Sequence, residues 1–224
     1  MDYAYITRGG QNEELRYSIR SVEKFMPAGE VYLFGEKPNW YIGKYTRVLQ
    51  RGHKYDNARK NLKQICVNDE ISDTFVLMND DFFAIEDVPE IQTYHGGLLK
   101  HKIETYQHIR GRGAYTRLLE KTYKGLRRMG IEEPLDYELH VPMIMTKSGL
   151  ESVLETDMLW RSSYGNINQV GGTRIFDVKV YHDYPYTHQN ECPYLSSSDE
   201  SFAYVYKKYL KEKLRYSPSR YELR

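Results

Sequence analysis

Cysteine is scarce in this chain of 224 residues, which contains two, Cys66 and Cys192. They stand far apart, with no CxxC pair and no histidine at the spacing of a metal ligand. The sequence therefore argues against a disulfide framework and against a structural zinc site. A reducing cytoplasm is the compartment that such cysteine usage predicts.

Long apolar runs and a strong net charge are also missing. No apolar stretch approaches the roughly 20 residues that a transmembrane helix needs. The start, Met1-Asp2-Tyr3, lacks a basic region followed by an apolar stretch, so no signal peptide is expected. The formal net charge is +1, which gives no overall attraction to nucleic acid or to an acidic membrane.

What the chain does contain is the pattern of an α/β protein. Apolar residues make up 40% of the chain and charged residues 28%, which fits a single domain over residues 1–224 with a sizeable core. Short apolar runs such as Val31–Phe34 alternate with amphipathic helical patterns, and Val48-Leu49 predicts a further strand. This alternation indicates βαβ units and a mostly parallel sheet flanked by helices.

The stretch from Phe75 to Phe83 is the most informative one. Four consecutive apolar residues predict a strand that is buried on both faces. Asn79, Asp80 and Asp81 follow at its carboxyl end, where open α/β sheets place their ligand crevices. Their hard oxygen atoms suit Mg²⁺ or Mn²⁺. The alternative is an ordinary polar turn, because Asn and Asp are common turn residues.

A second candidate for ligand binding follows the first predicted strand. Thr7, Arg8 and Gly9 lie at its end, and the glycine pair there can bring backbone close to a nucleotide. The fingerprint is incomplete, since two adjacent glycines make neither GxGxxG nor a P-loop. In the helix that follows, which Asn12 can cap, Arg16 and Arg20 lie on one face; they reach donor phosphates or are simply solvated.

Residues 100–130 form a basic helical insertion. Nine cations face two carboxylates, Glu104 and Glu120, and Gly111-Arg112-Gly113 divides the segment into two helical pieces. The cations are Lys100, Lys102, Arg110, Arg112, Arg117, Lys121, Lys124, Arg127 and Arg128. The segment is either an acceptor-binding surface, with Lys102 and Arg112 as contacts and tyrosines that stack on bases or sugars, or a solvated helical hairpin.

Asp136, Glu138 and His140 alternate, so an extended backbone would place them on one face. Such a face offers acid–base chemistry near neutral pH, with Asp136 and Glu138 as acceptor contacts, although His140 alone could equally be structural. Trp160 to Tyr164 is expected to be a loop near the site, and Ser196 to Asp199 to cap a C-terminal helix.

These pieces, in this order, resemble the Stealth family of sugar-phosphate transferases. The matching blocks are Glu14 to Lys24, Pro38-Asn39-Trp40, Met78 to Phe83, His140-Val141-Pro142, Trp160-Arg161-Ser162, Ser198-Asp199 and Ser217 to Glu222. The basic insertion has no counterpart in the family pattern. The resemblance implies a GT-A-like, Rossmann-like α/β fold that uses a nucleotide-sugar donor, a UDP-sugar in the first instance, and a divalent metal.

The resemblance also implies roles for individual residues. Asp81 and Asp80 would bind the metal with help from Asn79, and His182 or Asp199 is left open as a third ligand. Arg16, Arg20 and Arg161 would bind the donor phosphates, and His140 would take the proton of the acceptor hydroxyl. Catalysis would then rest on His140, Arg161 and Asp80.

The group transferred and the acceptor stay open at this point. Attack at the anomeric carbon would transfer a sugar, whereas attack at the β-phosphorus would transfer sugar-1-phosphate. The acceptor implied is a hydroxyl of a glycan or a glycan-like polymer. The alternatives are a glycosyltransferase that modifies nucleic acid and a non-catalytic binding module with the same fold.

Overall fold

A computed structural model describes residues 1–181, 192–214 and 218–223 of the chain. The chain divides into two compact units, each described by itself below. Unit 1 comprises Met1–Ile91, His140–Lys147 and Val178–Arg224, and unit 2 comprises Gln92–Leu139 and Ser148–Asp177. The single domain expected over residues 1–224 stays a prediction.

The strands of the described residues fall into three sheets. They are β1 Asp2–Thr7, β2 Val31–Gly35, β3 Lys44–Arg47, β4 Thr74–Asn79, β5 Phe82–Ala84, β6 Tyr94–His95, β7 Met143–Thr146, β8 Thr173–Arg174, β9 Lys179–Val180 and β10 Tyr194–Ser197.

The helices of the same residues are α1 Glu13–Phe25, α2 Lys54–Val67, α3 Leu99–Arg110, α4 Ala114–Arg128, α5 Lys147–Leu154, α6 Trp160–Ile167, α7 Asp199–Ser201 and α8 Lys207–Lys213, with a π-helical segment, Phe202–Tyr206, between the last two.

Unit 1 is built around a five-stranded sheet in the order β3-β2-β1-β4-β7. The first four strands of this order are parallel, and β7 pairs antiparallel with β4. The protein is thus a mixed α/β fold with a mostly parallel central sheet, as the sequence predicts. Phe75–Met78 in β4 are fully buried, because a strand in the middle of a parallel sheet is covered on both faces.

One strand of the sheet differs from the sequence-based expectation. The third strand is Lys44–Arg47 and not Val48-Leu49. An edge strand that is half exposed needs no apolar run, so the polar residues of this strand gave no strand signal in the sequence. Helix α2 begins at Lys54, and Leu62 and Ile65 are among its buried residues. In α1, Leu15, Ile19 and Val22 are buried.

A second, smaller sheet in unit 1 has the order β5-β10-β9. Strand β10 pairs antiparallel with β5 and parallel with β9. Ser198 caps the following helix through a reciprocal capping box with Ser201, so the predicted cap is confirmed. An apolar cluster lies beneath this sheet and includes Phe83, Leu195 and Phe202.

Unit 2 is mainly helical. Helices α3 and α4 pack on an apolar cluster that includes Ile103, Leu119 and Met158, and the break between them falls at the predicted Gly111-Arg112-Gly113. The expectation of a loop over Trp160 to Tyr164 is wrong, because these residues belong to α6. The small side chains of this helix allow neighbouring elements to pack closely against it, and this tertiary packing overrides their weak helix propensity.

Among residues 1–181, 192–214 and 218–223, no helix combines the length and the apolar character that crossing a bilayer requires.

Candidate functional site

An open cleft of about 410 Å³ lies in unit 1. It is lined by Ile6, Thr7, Arg8, Glu14, Gln50, Lys54, Asn57, Ala58, Asn61, Asn79, Asp80, Asp81, His140, Lys179 and Asp199. Strand order explains its position. The chain runs from β1 to β2 and β3 on one side and then returns to β4 on the other, so β1 and β4 form the switch point where doubly wound sheets bind ligands.

Backbone packing fixes the floor of the cleft. Gly35, at the end of β2, has a φ of +138°, and a Cβ atom there would lie 2.1 Å from the carbonyl oxygen of Thr7. Only glycine allows this approach. The Thr7 hydroxyl donates to the Glu36 carbonyl at 2.9 Å, and Asn61 from α2 donates to the Thr7 carbonyl at 3.4 Å. Thr7 is therefore held in place by neighbouring elements.

Asp80 lies in the turn between β4 and β5, and two groups from the loop after β1 approach it. The Asn12 amide donates to Asp80 Oδ2 at 2.8 Å, and Arg8 Nε lies 3.6 Å from the same oxygen. Asn12 also caps α1, its Oδ1 accepting from Leu15 N at 3.1 Å. Its left-handed backbone, with a φ of 43°, is tolerated by asparagine better than by most residues.

Asp81 is buried, with 8% of its surface exposed. The Lys179 ammonium lies 2.5 Å from Asp81 Oδ2, and the Ser196 hydroxyl donates to the same oxygen at 3.0 Å. Both partners come from the small sheet, since Lys179 lies in β9 and Ser196 in β10. The small sheet thus serves to anchor the acidic turn at the end of β4.

Glu14 and Asp199 add two more carboxylates, and Arg8 joins them. Arg8 donates to both oxygens of Asp199, at 2.7 Å and 3.2 Å, and lies 3.4 Å from Glu14 Oε2. Ser197 donates to the other Glu14 oxygen at 3.4 Å. Glu14 is 5% exposed, so its carboxylate lies deep in the cleft wall.

Burial and mutual repulsion change the acidity of these carboxyl groups. Burial, followed by repulsion from Asp80, Asp81 and Asp199, raises the pKa of Glu14 to about 8. Burial and the charge of Asp81 raise the pKa of Asp80 to about 6, against the hydrogen bond from Asn12. Burial is the larger cause for both groups, and the neighbouring carboxylates add to it.

The carboxylates of the cleft in turn stabilise the charged forms of Lys179 and Arg8. Burial alone would lower the pKa of Lys179, but the charge of Asp81 and the hydrogen bond to it together outweigh burial and raise the pKa. The hydrogen bond to Asp199 raises the pKa of Arg8, and it lowers the pKa of Asp199. Both cations stay charged at neutral pH.

His140 lines the cleft, as the sequence led us to expect of a reacting group. Its ring packs edge to face on Phe82, with 6.2 Å between the ring centroids and an interplanar angle of 84°. Because Phe82 follows Asp81 directly, the histidine is held close to the acidic turn.

Arg16 and Arg20 are not among the residues that line this cleft. Arg20 binds the buried carboxylate of Glu222 through two hydrogen bonds, at 2.6 Å and 2.7 Å. Arg16 lies 3.7 Å from Glu222 and stacks over the Trp40 ring at 4.8 Å. The predicted pair of arginines on one face of α1 is present, and its partner in the structure is the C-terminal segment.

Gly9 lies in unit 1 and is not among the residues that line the cleft, and the other predicted residues belong to unit 2. Lys102 pairs with the buried Asp136 at 2.9 Å, and Glu138 accepts from Ser162 N at 2.9 Å. Arg161 is 5% exposed and donates to the Leu139 carbonyl at 3.4 Å.

Arg112 is the exposed member of the predicted acceptor residues, and its side chain lies 3.6 Å from Glu120. The two tyrosines Tyr106 and Tyr115 pack edge to face, with 5.2 Å between their ring centroids, and both contact the apolar cluster under α3 and α4. Both rings therefore take part in the internal packing of unit 2.

Sequence reasoning missed several side chains of the cleft. Lys179 and Ser196 carried no signal, because the short strands that deliver them lie about a hundred residues from Asp81. Asn57 and Asn61 did carry one, since two carboxamides four residues apart lie on one face of a helix. His182, one of the two possible third metal ligands, lies outside the described residues; Asp199, the other, lines the cleft.

The donor set fits a hard divalent cation. Burial, and after it the neighbouring carboxylates, raise the pKa values of Glu14 and Asp80, and a divalent cation beside them would favour their ionised forms. Among the described parts of the chain, no group of three or more Asp, Glu, His or Cys side chains is arranged so that it could hold a metal ion. Mg²⁺ needs no such cage, because it commonly uses one or two carboxylates and takes its other ligands from water and from substrate phosphates.

Comparison with known proteins gives little further information. No protein-family model matches the chain, and no curated protein matches it in sequence. One solved structure with a weak likeness is that of mouse xyloside xylosyltransferase 1 in its apo form. It superposes with a TM-score of 0.33 and 6% identity over 96% of this chain and 94% of that chain. A likeness of this degree carries no argument about activity, and the resemblance to the Stealth family stays a prediction from the motifs.

Proposed function

We propose that the chain is a transferase of GT-A-like fold that uses a nucleotide-sugar donor, a UDP-sugar in the first instance. It would move a sugar or a sugar-1-phosphate to an acceptor hydroxyl of a glycan-type polymer. One observation carries the proposal: an acidic turn, three basic side chains and a histidine line one cleft at the switch point between β1 and β4. That is where α/β folds bind nucleotides.

A divalent cation, Mg²⁺ or Mn²⁺, is part of the proposal. Asp80 and Asp81 would hold it, with Asn79 assisting. When bound, such an ion neutralises the charge that develops on a diphosphate leaving group. The chain's own contribution is to keep both carboxylates in position, Asp80 through Asn12 and Asp81 through Lys179 and Ser196.

Arg8 and Lys179 are the cations that would contact the donor phosphates. Each is paired with a carboxylate in the structure, so each is oriented before a ligand arrives and needs little reorganisation. Arg8, with its planar guanidinium, can bind a phosphate through two hydrogen bonds. Thr7 and Gly9 supply backbone next to it. In this arrangement Arg16, Arg20 and Arg161 have structural roles.

His140 is the residue that we propose as general base. It lines the cleft, and imidazole accepts a proton near neutral pH. Its contact with Phe82 fixes the ring beside the acidic turn, which positions it for a hydroxyl that approaches the bound donor. Mass analysis of the product distinguishes transfer of a sugar from transfer of a sugar-1-phosphate.

The first test is a thermal-shift screen of nucleoside diphosphates and sugar nucleotides, with and without Mn²⁺. A ligand that binds only the folded state raises the melting temperature by mass action. We expect one nucleotide to stabilise the protein only when the metal is present. No stabilisation by any nucleotide would contradict the proposal and would favour a non-catalytic binding module.

The second test is Asp81→Asn, with Asp73→Asn as a control on a carboxylate that is 95% exposed. Asp81→Asn should abolish donor turnover and should also destabilise the fold, because it leaves Lys179 buried without its counter-charge. The double variant Asp81→Asn with Lys179→Met removes that buried charge. It should restore stability but not turnover, since both residues are proposed to act on the donor. If it restored stability and turnover together, neither Asp81 nor Lys179 would have a role in catalysis.

A further inference from the structure

The exposed side of α4, in unit 2, carries a row of basic side chains. Arg117, Lys121, Lys124 and Arg128 follow one another at intervals of four, three and four residues, and all four side chains are exposed. On an α-helix this spacing forms one straight row, about 16 Å long. The opposite side of the helix carries Leu119 and Leu126, which are buried.

This charge is segregated within the chain. Residues 100–128 carry nine Lys and Arg against two Glu, a net of +7, whereas the whole chain has a formal net charge of +1. The remaining residues are therefore acidic on balance. The neutral total hides a local basic surface that attracts polyanions.

The existing partners of the row are weak. Lys121 pairs with Asp157 at 2.9 Å, and both side chains are more than half exposed. Arg117 donates to the Arg112 carbonyl at 2.8 Å. An exposed ion pair contributes about 1 kcal/mol or less, so a phosphate can replace Asp157 at little cost.

We infer that this row, Arg117, Lys121, Lys124 and Arg128, binds the phosphate backbone of duplex nucleic acid. A rigid, straight row of cations matches a regular line of phosphates, and arginine and lysine are the side chains that contact them. A membrane surface fits less well, because the apolar side of α4 is buried against the cluster of unit 2 and cannot insert into lipid.

The contact is with the backbone and carries no sequence preference. The tyrosines of the two helices, Tyr106, Tyr115 and Tyr123, pack against the same apolar cluster, so they do not provide free rings for base stacking. This inference concerns binding and stands independently of the proposed transferase activity. If both hold, the acceptor polymer is a nucleic acid.

The test is fluorescence anisotropy of a short labelled DNA duplex with the full chain, over about 50 to 200 mM salt. The variant replaces the four cations of the row by glutamine. The matched control replaces four exposed cations of unit 1, Arg47, Lys60, Lys208 and Lys211. Circular dichroism and thermal melting confirm that both variants fold. Lys121→Arg with Lys124→Arg retains the charge and should retain binding.

We expect the row variant to lose at least tenfold in affinity at low salt, while the control stays close to the parent. The slope of log affinity against log salt should decrease in magnitude by about 3.6, since each lost phosphate contact contributes about 0.9. Equal losses in both variants, or no binding by the parent, would overturn the inference. Equal or tighter binding to a sulfated glycan or to anionic lipid vesicles would overturn the choice of nucleic acid.

Discussion

Glu14→Gln tests whether burial and the neighbouring carboxylates raise the pKa of Glu14. Glu14 is buried in the first turn of α1, and folding raises its pKa from 4.5 to about 8. At about 1.36 kcal/mol per pH unit, keeping it ionised in the folded state costs roughly 5 kcal/mol at most. Because this carboxyl shares the site with Asp80 and Asp81, and their protonation is linked, we expect a measured effect of about 2 to 4 kcal/mol.

The sign follows from proton linkage. Between about pH 4.5 and pH 8 the folded protein binds a proton at Glu14 that the unfolded chain releases. The contribution of this group to stability is therefore largest at low pH and decreases as the pH rises through that window. Glutamine cannot ionise, so the variant should lose less stability than the parent between about pH 5 and about pH 9.

The assay is urea denaturation followed by circular dichroism at several pH values, with Glu13→Gln as the matched control. Glu13 occupies the same helical turn, so it has the same interaction with the helix dipole, but its side chain is 39% exposed. The control should follow the parent within about 0.5 kcal/mol. If Glu14→Gln lost as much stability with rising pH as the parent does, the pKa of Glu14 would not be raised in the folded protein, and this reasoning would be refuted.

Two further predictions concern the groups that hold α1 in place. Glu222→Gln should lower the free energy of unfolding by about 2 to 3 kcal/mol, because it removes the charge of a buried carboxylate that pairs with two partly exposed arginines. The control is Glu70→Gln, which lies in an exposed ion pair and should change the free energy of unfolding by less than about 1 kcal/mol. Equal effects in urea denaturation would contradict this. Asn12→Ala should cost about 1 kcal/mol through loss of the cap, and more because alanine tolerates the left-handed backbone at this position less well. It should also weaken Mn²⁺ binding measured by calorimetry, because Asp80 loses its amide donor. Asn12→Ser, which can cap but is too short to reach Asp80, should recover the stability that the cap contributes and not the Mn²⁺ affinity.

The sequence predicted the position of the acidic turn because the signal is local. Four apolar residues mark β4 as a central strand, and the polar residues that follow it must lie at the carboxyl edge of the sheet. The same logic placed Thr7 and Arg8 at the end of β1. Both predictions depend on neighbouring residues in the chain, and the structure brings the two segments together.

The partners of Arg16 and Lys179 could not be predicted in this way. Helical spacing put Arg16 and Arg20 on one face, but their partner is Glu222, about 200 residues away. Lys179 reaches Asp81 from a strand of two residues, and although the sequence predicts a strand over Ile175 to Tyr181, nothing in it indicates Asp81 as the partner. Long-range pairing of charges depends on topology, and a single sequence does not specify it.

The charges of the cleft constrain how a nucleotide can bind. Four carboxylates, from Glu14, Asp80, Asp81 and Asp199, line it together with the cations Arg8, Lys54 and Lys179. A bare diphosphate would add negative charge to a site that already raises the pKa of two of its own carboxyl groups.

Under the proposed function, either a divalent cation or protonation of those groups would favour nucleotide binding, and the two routes have opposite pH dependences. Protonation favours metal-free binding below about pH 6, the pKa of Asp80, whereas a metal competes with protons and favours binding above it. Nucleotide affinity that rises with pH only when Mn²⁺ is present would therefore identify the metal as the group that makes this cleft receptive to phosphate.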